Sequence, residues 1–115
     1  MLNKIIAAIV CLGAGVTLSA SAGGWSHPAA SVKIESIYAN AGWVMFSIEG
    51  PATVNPDGCS STNYLALNTN QAGFDVLYSA ALTAFSAGQD VRFYLVGCGG
   101  QNSAYPQIVS VMAVK

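Results

Sequence analysis

The stretch VKIESIYANAGWVMFSIE, residues 32–49, decides the fold class of this chain. Residue types alternate with a period of two over 32–39 and again over 43–49, as in strands that bury one face. The residues between them, Asn40, Ala41 and Gly42, favour a turn. The stretch therefore predicts a β-hairpin.

Downstream of the hairpin the sequence predicts a third strand over 63–67, one helix, and strands over 90–96 and 107–114, with a loop over 97–100. The helix is indicated by apolar residues at offsets of three and four. They are Phe74, Leu77, Tyr78, Ala81, Leu82 and Phe85. Asn68, Thr69 or Asn70 could cap the start of this helix, and Gly88 is expected to end it.

These elements predict a mainly β (α+β) domain with the order β-β-β-α-β-β. The single helix lies between the third and fourth predicted strands. This order matches the OB-fold, a small five-stranded Greek-key barrel.

The N-terminus has the features of a secretory signal. Lys4 precedes an apolar run over 5–12, and small residues lead to Ala22. The expected cleavage falls between Ala22 and Gly23, so that 1–22 is a signal peptide and 23–115 is one exported domain, periplasmic or secreted. A retained membrane anchor is the weaker alternative, because the apolar run falls short of the ~20 residues that span a bilayer.

Cleavage would leave two cysteines, Cys59 and Cys98, in the mature chain. Two cysteines in an exported domain predict one disulfide, which would destabilise the unfolded chain by roughly 4 kcal/mol. No metal or other cofactor is expected, since His27 is the only histidine and no paired ligand motif is present.

The charge content argues against nucleic acid as a partner, because the few cations form no basic patch that could neutralise phosphates. Charged residues make up 8% of the chain and hydrophobic residues 53%, whereas soluble domains carry about a quarter charged residues. We therefore expect another subunit to cover part of the surface.

No catalytic arrangement stands out, so an enzyme is not expected. Ser60 and Ser61 lie near Asp57, but the only histidine that could serve as a base lies in a different segment. Glu35 and Glu49 lie on neighbouring predicted strands, where a glycosidase-like pair is possible and a solvated strand surface is commoner.

Three further residues keep alternatives open. Trp43 is either exposed for stacking on a sugar or buried by a neighbour. Trp25 and His27 either contact a ligand or belong to a mobile N-terminal lead-in.

Three segments carry a resemblance to a known family. FDVLYSAAL (74–82), AGQDVRFY (87–94) and YPQIV (105–109) resemble the B subunit of subtilase cytotoxin and related pentameric toxin-binding subunits. The similarity extends over about 32–114. It implies an OB-fold subunit that forms a ring of five, binds terminal sugars on host glycans, often sialic acid, and has a catalytic A subunit as a possible partner.

The resemblance departs from the family at the sugar site. There a serine just before the first strand and a tyrosine late in the strand after the helix hold the sugar, and this chain has Ala30 and Leu95 in those places. Ser31, one residue along, is the remaining candidate for ligand binding. The alternative is a small exported protein-binding or structural protein without toxin activity.

The face of the predicted helix opposite its apolar stripe consists mostly of small residues. They are Val76, Ala80, Thr83, Ala84 and Ala87. In the toxin subunits the corresponding helices line a central pore, so this face is expected to meet neighbouring subunits.

Overall fold

A computed structural model describes residues 22–115 of the protein. Of the predicted signal peptide only Ala22 belongs to this part, and the rest lies outside the described residues. Across 22–115, no helix combines the length and apolar character needed to cross a membrane.

The described chain forms six strands, one α-helix and one short 3₁₀ turn. The first strands are β1 (Gly24–Trp25), β2 (Val32–Ala39), β3 (Trp43–Ile48) and β4 (Leu65–Asn68). The helix α1 (Phe74–Ala87) follows, then β5 (Asp90–Gly99), the 3₁₀ turn (Gln101–Ser103) and β6 (Tyr105–Val114). The predicted β-β-β-α-β-β order is confirmed for β2 onward, and β1 is an addition to it.

Five of the strands pair into a closed ring. The predicted hairpin is confirmed as the antiparallel pair β2–β3, and β3 pairs with β4 in the same sense. Strand β4 then meets β6 in parallel, β6 pairs with β5, and β5 returns to β2. The short β1 adds to the edge of β5, with Trp25 opposite Tyr94.

The core lies inside this ring. Val44, Met45 and Phe46 are all buried, so β3 is covered on both faces here rather than on the single face that its alternation predicts. Phe46 lies 6.1 Å from Phe93, measured between ring centroids. The remaining fully buried large side chains come from β4, β5 and β6, and α1 covers the cluster.

The helix begins and ends at glycines. Gly88 adopts φ 67° at the C-terminus, as predicted. The predicted N-terminal caps are wrong, because Gly73 occupies that position. Asn68 and Thr69 are used elsewhere: Asn68 Oδ1 accepts a hydrogen bond from the Gly100 backbone at 2.9 Å, and Thr69 Oγ1 donates to the Gly42 carbonyl at 3.2 Å.

Most of the predicted apolar stripe of the helix is confirmed, because Ala81 is completely buried and Phe74, Leu77 and Tyr78 pack against the core cluster. The stripe differs towards the C-terminal end, where Leu82 and Phe85 are 40% and 39% exposed and Ala84 is completely buried. The prediction that Ala84 lies on an outer contact face is therefore wrong. Alanines allow the helix axis to approach the sheet closely, while the larger Phe74 and Tyr78 stack on each other at 5.7 Å beside the contact.

The last two strands are longer than the sequence predicts. Strand β5 continues through Cys98 to Gly99, so most of the predicted 97–100 loop is strand. Gly97 has φ 72°, and the register with β6 shifts between Leu95 and Cys98. A glycine in this conformation lets one strand accommodate an extra residue without ending.

The N-terminal segment is packed, which corrects its interpretation as a mobile lead-in. Ser26 is completely buried, its backbone N–H donates to the Phe93 carbonyl at 2.7 Å, and its carbonyl accepts from Val54 at 2.9 Å. Its Oγ accepts from the Phe93 N–H at 3.0 Å. His27 is buried beside it, with Nε2 3.0 Å from the Pro51 carbonyl and Nδ1 3.1 Å from Ser26 Oγ.

Because a carbonyl only accepts, Nε2 of His27 donates its hydrogen to the Pro51 carbonyl.

Replacing Ser26 by alanine is expected to lower the free energy of unfolding by about 1–3 kcal/mol, because the buried Phe93 N–H loses its hydroxyl acceptor. Urea unfolding measures the loss. Ser79→Ala, at an exposed helix position, is the matched control and should change stability by less than about 0.5 kcal/mol. Equal stabilities for the two variants would contradict the role given to Ser26.

Candidate functional site

One surface of the sheet combines aromatic and charged side chains. Along β5 the buried Val91, Phe93 and Leu95 alternate with Asp90, Arg92 and Tyr94, which lie half-buried on the opposite face. We call the surface formed by Trp25, Asp90, Arg92 and Tyr94 the β5 outer face. It follows directly from the period of two in a strand whose other face fills the core.

Trp25 is held in this surface from two sides. Its ring lies 5.2 Å from that of Tyr94 in an edge-to-face arrangement at 79°. The Arg92 guanidinium carbon lies 5.1 Å from the Trp25 ring centroid, within the range of a cation–π contact. Arg92 is itself fixed, because Nε donates to the His27 carbonyl at 3.1 Å and Nη2 to the Pro28 carbonyl at 2.8 Å.

Ser31 lies at the edge of the same surface. Its hydroxyl donates to Asp90 Oδ2 at 3.0 Å, and Lys33 Nζ forms an ion pair with Asp90 Oδ1 at 2.5 Å. The hydrogen bond from Lys33, followed by that from Ser31, lowers the pKa of Asp90 below its usual value. Asp90 therefore stays ionised at neutral pH and orients the Ser31 hydroxyl.

The positions that differ from the toxin subunits have different environments. Leu95 is completely buried, so it belongs to the core rather than to any surface site. Ala30 is exposed just before β2, in the segment whose Pro28 carbonyl binds Arg92.

Trp43 is half-buried, and its indole Nε1 is shielded from solvent without a hydrogen-bond partner among residues 22–115. The polar edge of the Trp43 ring is therefore covered. On the β5 outer face it is Trp25 that forms the edge-to-face aromatic pair.

The two glutamates considered as a pair are both exposed. Glu35 accepts a hydrogen bond from the Ser47 hydroxyl at 3.4 Å, and the Glu49 backbone donates to the Lys33 carbonyl at 2.9 Å. Both residues thus take part in contacts within the hairpin. Asp90, by contrast with the two glutamates, forms an ion pair with Lys33.

The predicted disulfide is confirmed: Cys59 and Cys98 are bonded, with their Cα atoms 5.7 Å apart. The bond attaches the loop between β3 and β4 to β5. Asn55 brackets Cys59, accepting from its N–H and donating to its carbonyl, both at 2.8 Å.

Asp57 of the same loop binds Gly97 and both residues of the predicted cleavage site. Its carboxylate accepts from the backbone N–H groups of Gly97 and Ala22, each at 2.6 Å, and of Gly23 at 3.4 Å. The Gly97 hydrogen bond is the largest cause of the lowered pKa of Asp57.

Within the part of the chain that the structure describes, no three His, Cys, Asp or Glu side chains come together as a possible metal site, and no enclosed pocket is present. The surface features that remain are an aromatic ring, a guanidinium and a hydroxyl. These groups can stack on a ligand and hydrogen-bond to it.

The sequence pattern places Arg92 and Tyr94 on one strand but does not indicate that Trp25 contacts them. A strand of two residues has no period to detect, and β1 exists because Ser26 fixes it to β5. The signal that the sequence does contain is the alternation along β5. Its outward positions carry Arg92 and Tyr94, the two side chains that contact the Trp25 ring.

No protein-family model matches this sequence, and the comparisons with curated proteins and with solved structures likewise gave no match.

Proposed function

We propose that the protein is an exported carbohydrate-binding subunit that recognises a glycan on the β5 outer face. The observation that carries the proposal is the half-buried Trp25, which contacts Tyr94 and Arg92 on the face of β5 that points away from the core. A preordered indole of this kind binds the apolar C–H face of a sugar ring at small conformational cost.

Arg92 supplies the polar part of the proposed site. A guanidinium has five N–H donors, and the two hydrogen bonds that Arg92 makes within residues 22–115 leave others for a ligand. Such donors suit sugar hydroxyls and, more strongly, a carboxylate. Ser31 at the edge of the surface adds a hydroxyl.

The fold supports an OB-type barrel as the scaffold. Five strands close into a ring, and the helix lies between β4 and β5, as in that fold. The motifs over 74–82, 87–94 and 105–109 support membership of the toxin-subunit group and, with it, a catalytic A subunit as a possible partner. The disulfide is compatible with an oxidising compartment, periplasmic or extracellular.

Exposed apolar residues support assembly into a homo-oligomer, a ring of five by the resemblance. Val76 is 72% exposed on α1, and Leu82, Phe85, Val109 and Met112 are also exposed. Apolar side chains concentrated on one helix and its neighbouring strand are typical of subunit contacts.

Binding of the mature protein to a broad glycan panel tests the function, followed by titration of any positive glycan. The chain has two tryptophans, so Trp43→Phe gives a background in which fluorescence reports Trp25 alone. In the glycan titration Trp25→Ala should weaken binding about fivefold or more, since stacking on an aromatic ring contributes about 1 kcal/mol or more.

Tyr38→Ala is the matched control, because Tyr38 is an exposed aromatic residue on the hairpin. It should bind as the wild type does. Unchanged binding by Trp25→Ala would place the site elsewhere. A folded, oligomeric sample without any glycan signal would favour the alternative, a protein-binding or structural role.

A further inference from the structure

Asp57 accepts hydrogen bonds from three backbone N–H groups, two of which lie at the start of the described chain. Its Oδ2 accepts from Gly97, and its Oδ1 accepts from Ala22 and Gly23. All three donors are neutral amides. In the part of the chain that the structure describes, the single ion pair is between Lys33 and Asp90, so the Asp57 charge has no cationic partner there.

Gly23 lies too close to β5 for any other residue. It has φ +66°, and a Cβ built on it would meet Val96 Cγ2 at 2.9 Å and the Leu95 carbonyl oxygen at 3.2 Å. Glycine at this position therefore lets the backbone approach the strand, with its nitrogen beside Asp57. The same glycine is the first residue after the cleavage that the sequence predicts.

We propose that Asp57 is the binding site for the α-ammonium group that cleavage between Ala22 and Gly23 creates, and that this ion pair fastens β1, and with it Trp25, to β5. The proposed ion pair depends on the predicted cleavage. The value of a fixed Trp25 for ligand binding depends also on the proposed function. Cleavage hydrolyses one peptide bond: the Gly23 nitrogen becomes an ammonium, and the carboxylate leaves on Ala22.

The geometry favours this exchange. Ala22 holds the nearer place on Oδ1, at 2.6 Å, while the Gly23 nitrogen stands at 3.4 Å. Loss of Ala22 vacates Oδ1 and gives the Gly23 nitrogen a positive charge. Charge-assisted hydrogen bonds are shorter, about 2.7–2.9 Å, and roughly twice as strong as neutral ones.

The ion pair defines a pH range for its stabilising effect. An unpaired α-amino group has a pKa of about 7.7–8.0, and Asp57 should raise it in the folded protein. The contribution is then complete below about pH 7.7 and is lost as pH rises through the raised pKa. At the acid side, the Asp57 pKa is lowered from its usual 3.8, so its contribution is present above that value and is lost as pH falls through the lowered pKa.

A titratable side chain is among the groups nearest to Gly23: Tyr94 Cε2 lies 3.4 Å from the position of a Cβ built on this glycine. The other atoms nearest to Gly23 and Gly24 belong to Val96, the Leu95 carbonyl and Pro56, which do not titrate. A Tyr94→Phe background therefore separates the amino group from the phenol.

The experiment compares two chains in the Tyr94→Phe background, one that begins at Gly23 and one that retains residues 13–22. Each is made with Asp57 and with Asp57→Asn, and melting temperatures are measured at pH 6 and pH 9. In the Gly23 chain the substitution should lower Tm by roughly 5–10 °C at pH 6 and by less than half as much at pH 9. In the extended chain the two decreases should be equal.

Asp75→Asn, which removes an exposed carboxylate from α1, should change Tm by the same amount at both pH values. Equal effects of Asp57→Asn at pH 6 and pH 9 in the Gly23 chain would overturn the ion pair. An exported protein whose mass shows a first residue other than Gly23 would overturn it as well. Neither the melting temperatures nor the mass measurement involves a glycan. These measurements therefore test the ion pair separately from the glycan-binding proposal.

Discussion

Replacing Cys98 by alanine in the mature chain is expected to lower the free energy of unfolding by about 4 kcal/mol, from the lost restriction on a loop closed over 39 residues of separation. Small domains have only about 5–15 kcal/mol in total. The loop between β3 and β4 adds few apolar contacts of its own, since Val54 is exposed. Its other attachments include the edge-to-face contact of Tyr64 with Tyr105, at 5.8 Å between ring centroids, and hydrogen bonds such as that from Ser61 N–H to the Ala104 carbonyl at 2.9 Å.

The measurement is urea unfolding of Cys98→Ala beside the double variant Cys59→Ala/Cys98→Ala and the wild type in reductant. All three should lose similar stability while their far-ultraviolet circular dichroism stays close to that of the wild type, because the main core cluster comes from the ring and α1. A loss below about 1 kcal/mol in every case would show that hydrogen bonds such as those of Asn55 hold the loop without the disulfide.

The hairpin was predictable because residue types alternate along both strands and a short turn lies between them. The bounds of β2 agree with the sequence pattern, and β3 ends one residue earlier than predicted. Strands whose ends depend on distant partners were placed less well. Strand β6 begins at Tyr105, because Tyr105 and Pro106 lie opposite Gly99 and Cys98, and no local pattern carries that pairing.

The candidate site was predictable only in part, for a related reason. Ser31 was identified from a family resemblance, and the structure attaches it to Asp90, 59 residues away. Trp25 is one of the possible ligand contacts in the sequence, yet its position depends on Ser26, whose buried hydrogen bonds to Phe93 cannot be inferred from residue types. Long-range hydrogen bonds of single polar side chains leave no periodic trace in a sequence.

The orientation of the helix is the sharpest difference between pattern and structure. The predicted stripe includes Leu82 and Phe85 and leaves out Ala84, whereas the structure buries Ala84 completely and leaves Leu82 and Phe85 exposed. Helix packing depends on how closely two backbones can approach as well as on total hydrophobicity. A small side chain that lets the helix lie close to the sheet is therefore buried in preference to a larger one at the edge of the helix–sheet contact.

Ala84→Arg is accordingly expected to prevent folding of the single chain, with a loss of at least about 4 kcal/mol. The substitution forces a large side chain and an unpaired charge into a site that is completely buried. Loss of the cooperative thermal transition, or recovery only as aggregate, is the expected observation. An Ala84→Arg protein that is folded and monomeric would instead place Ala84 on an outer face, as the helical pattern alone predicts.

Val76→Arg is the matched variant, since Val76 is 72% exposed on the same helix. It should change the stability of the single chain by less than about 0.5 kcal/mol. If neighbouring subunits cover this side of α1, the new charge is buried without a partner, and light scattering should show the oligomer dissociated. Val76→Arg thus tests assembly without disturbing the core, and a wild-type protein that is already monomeric at micromolar concentration would refute the ring.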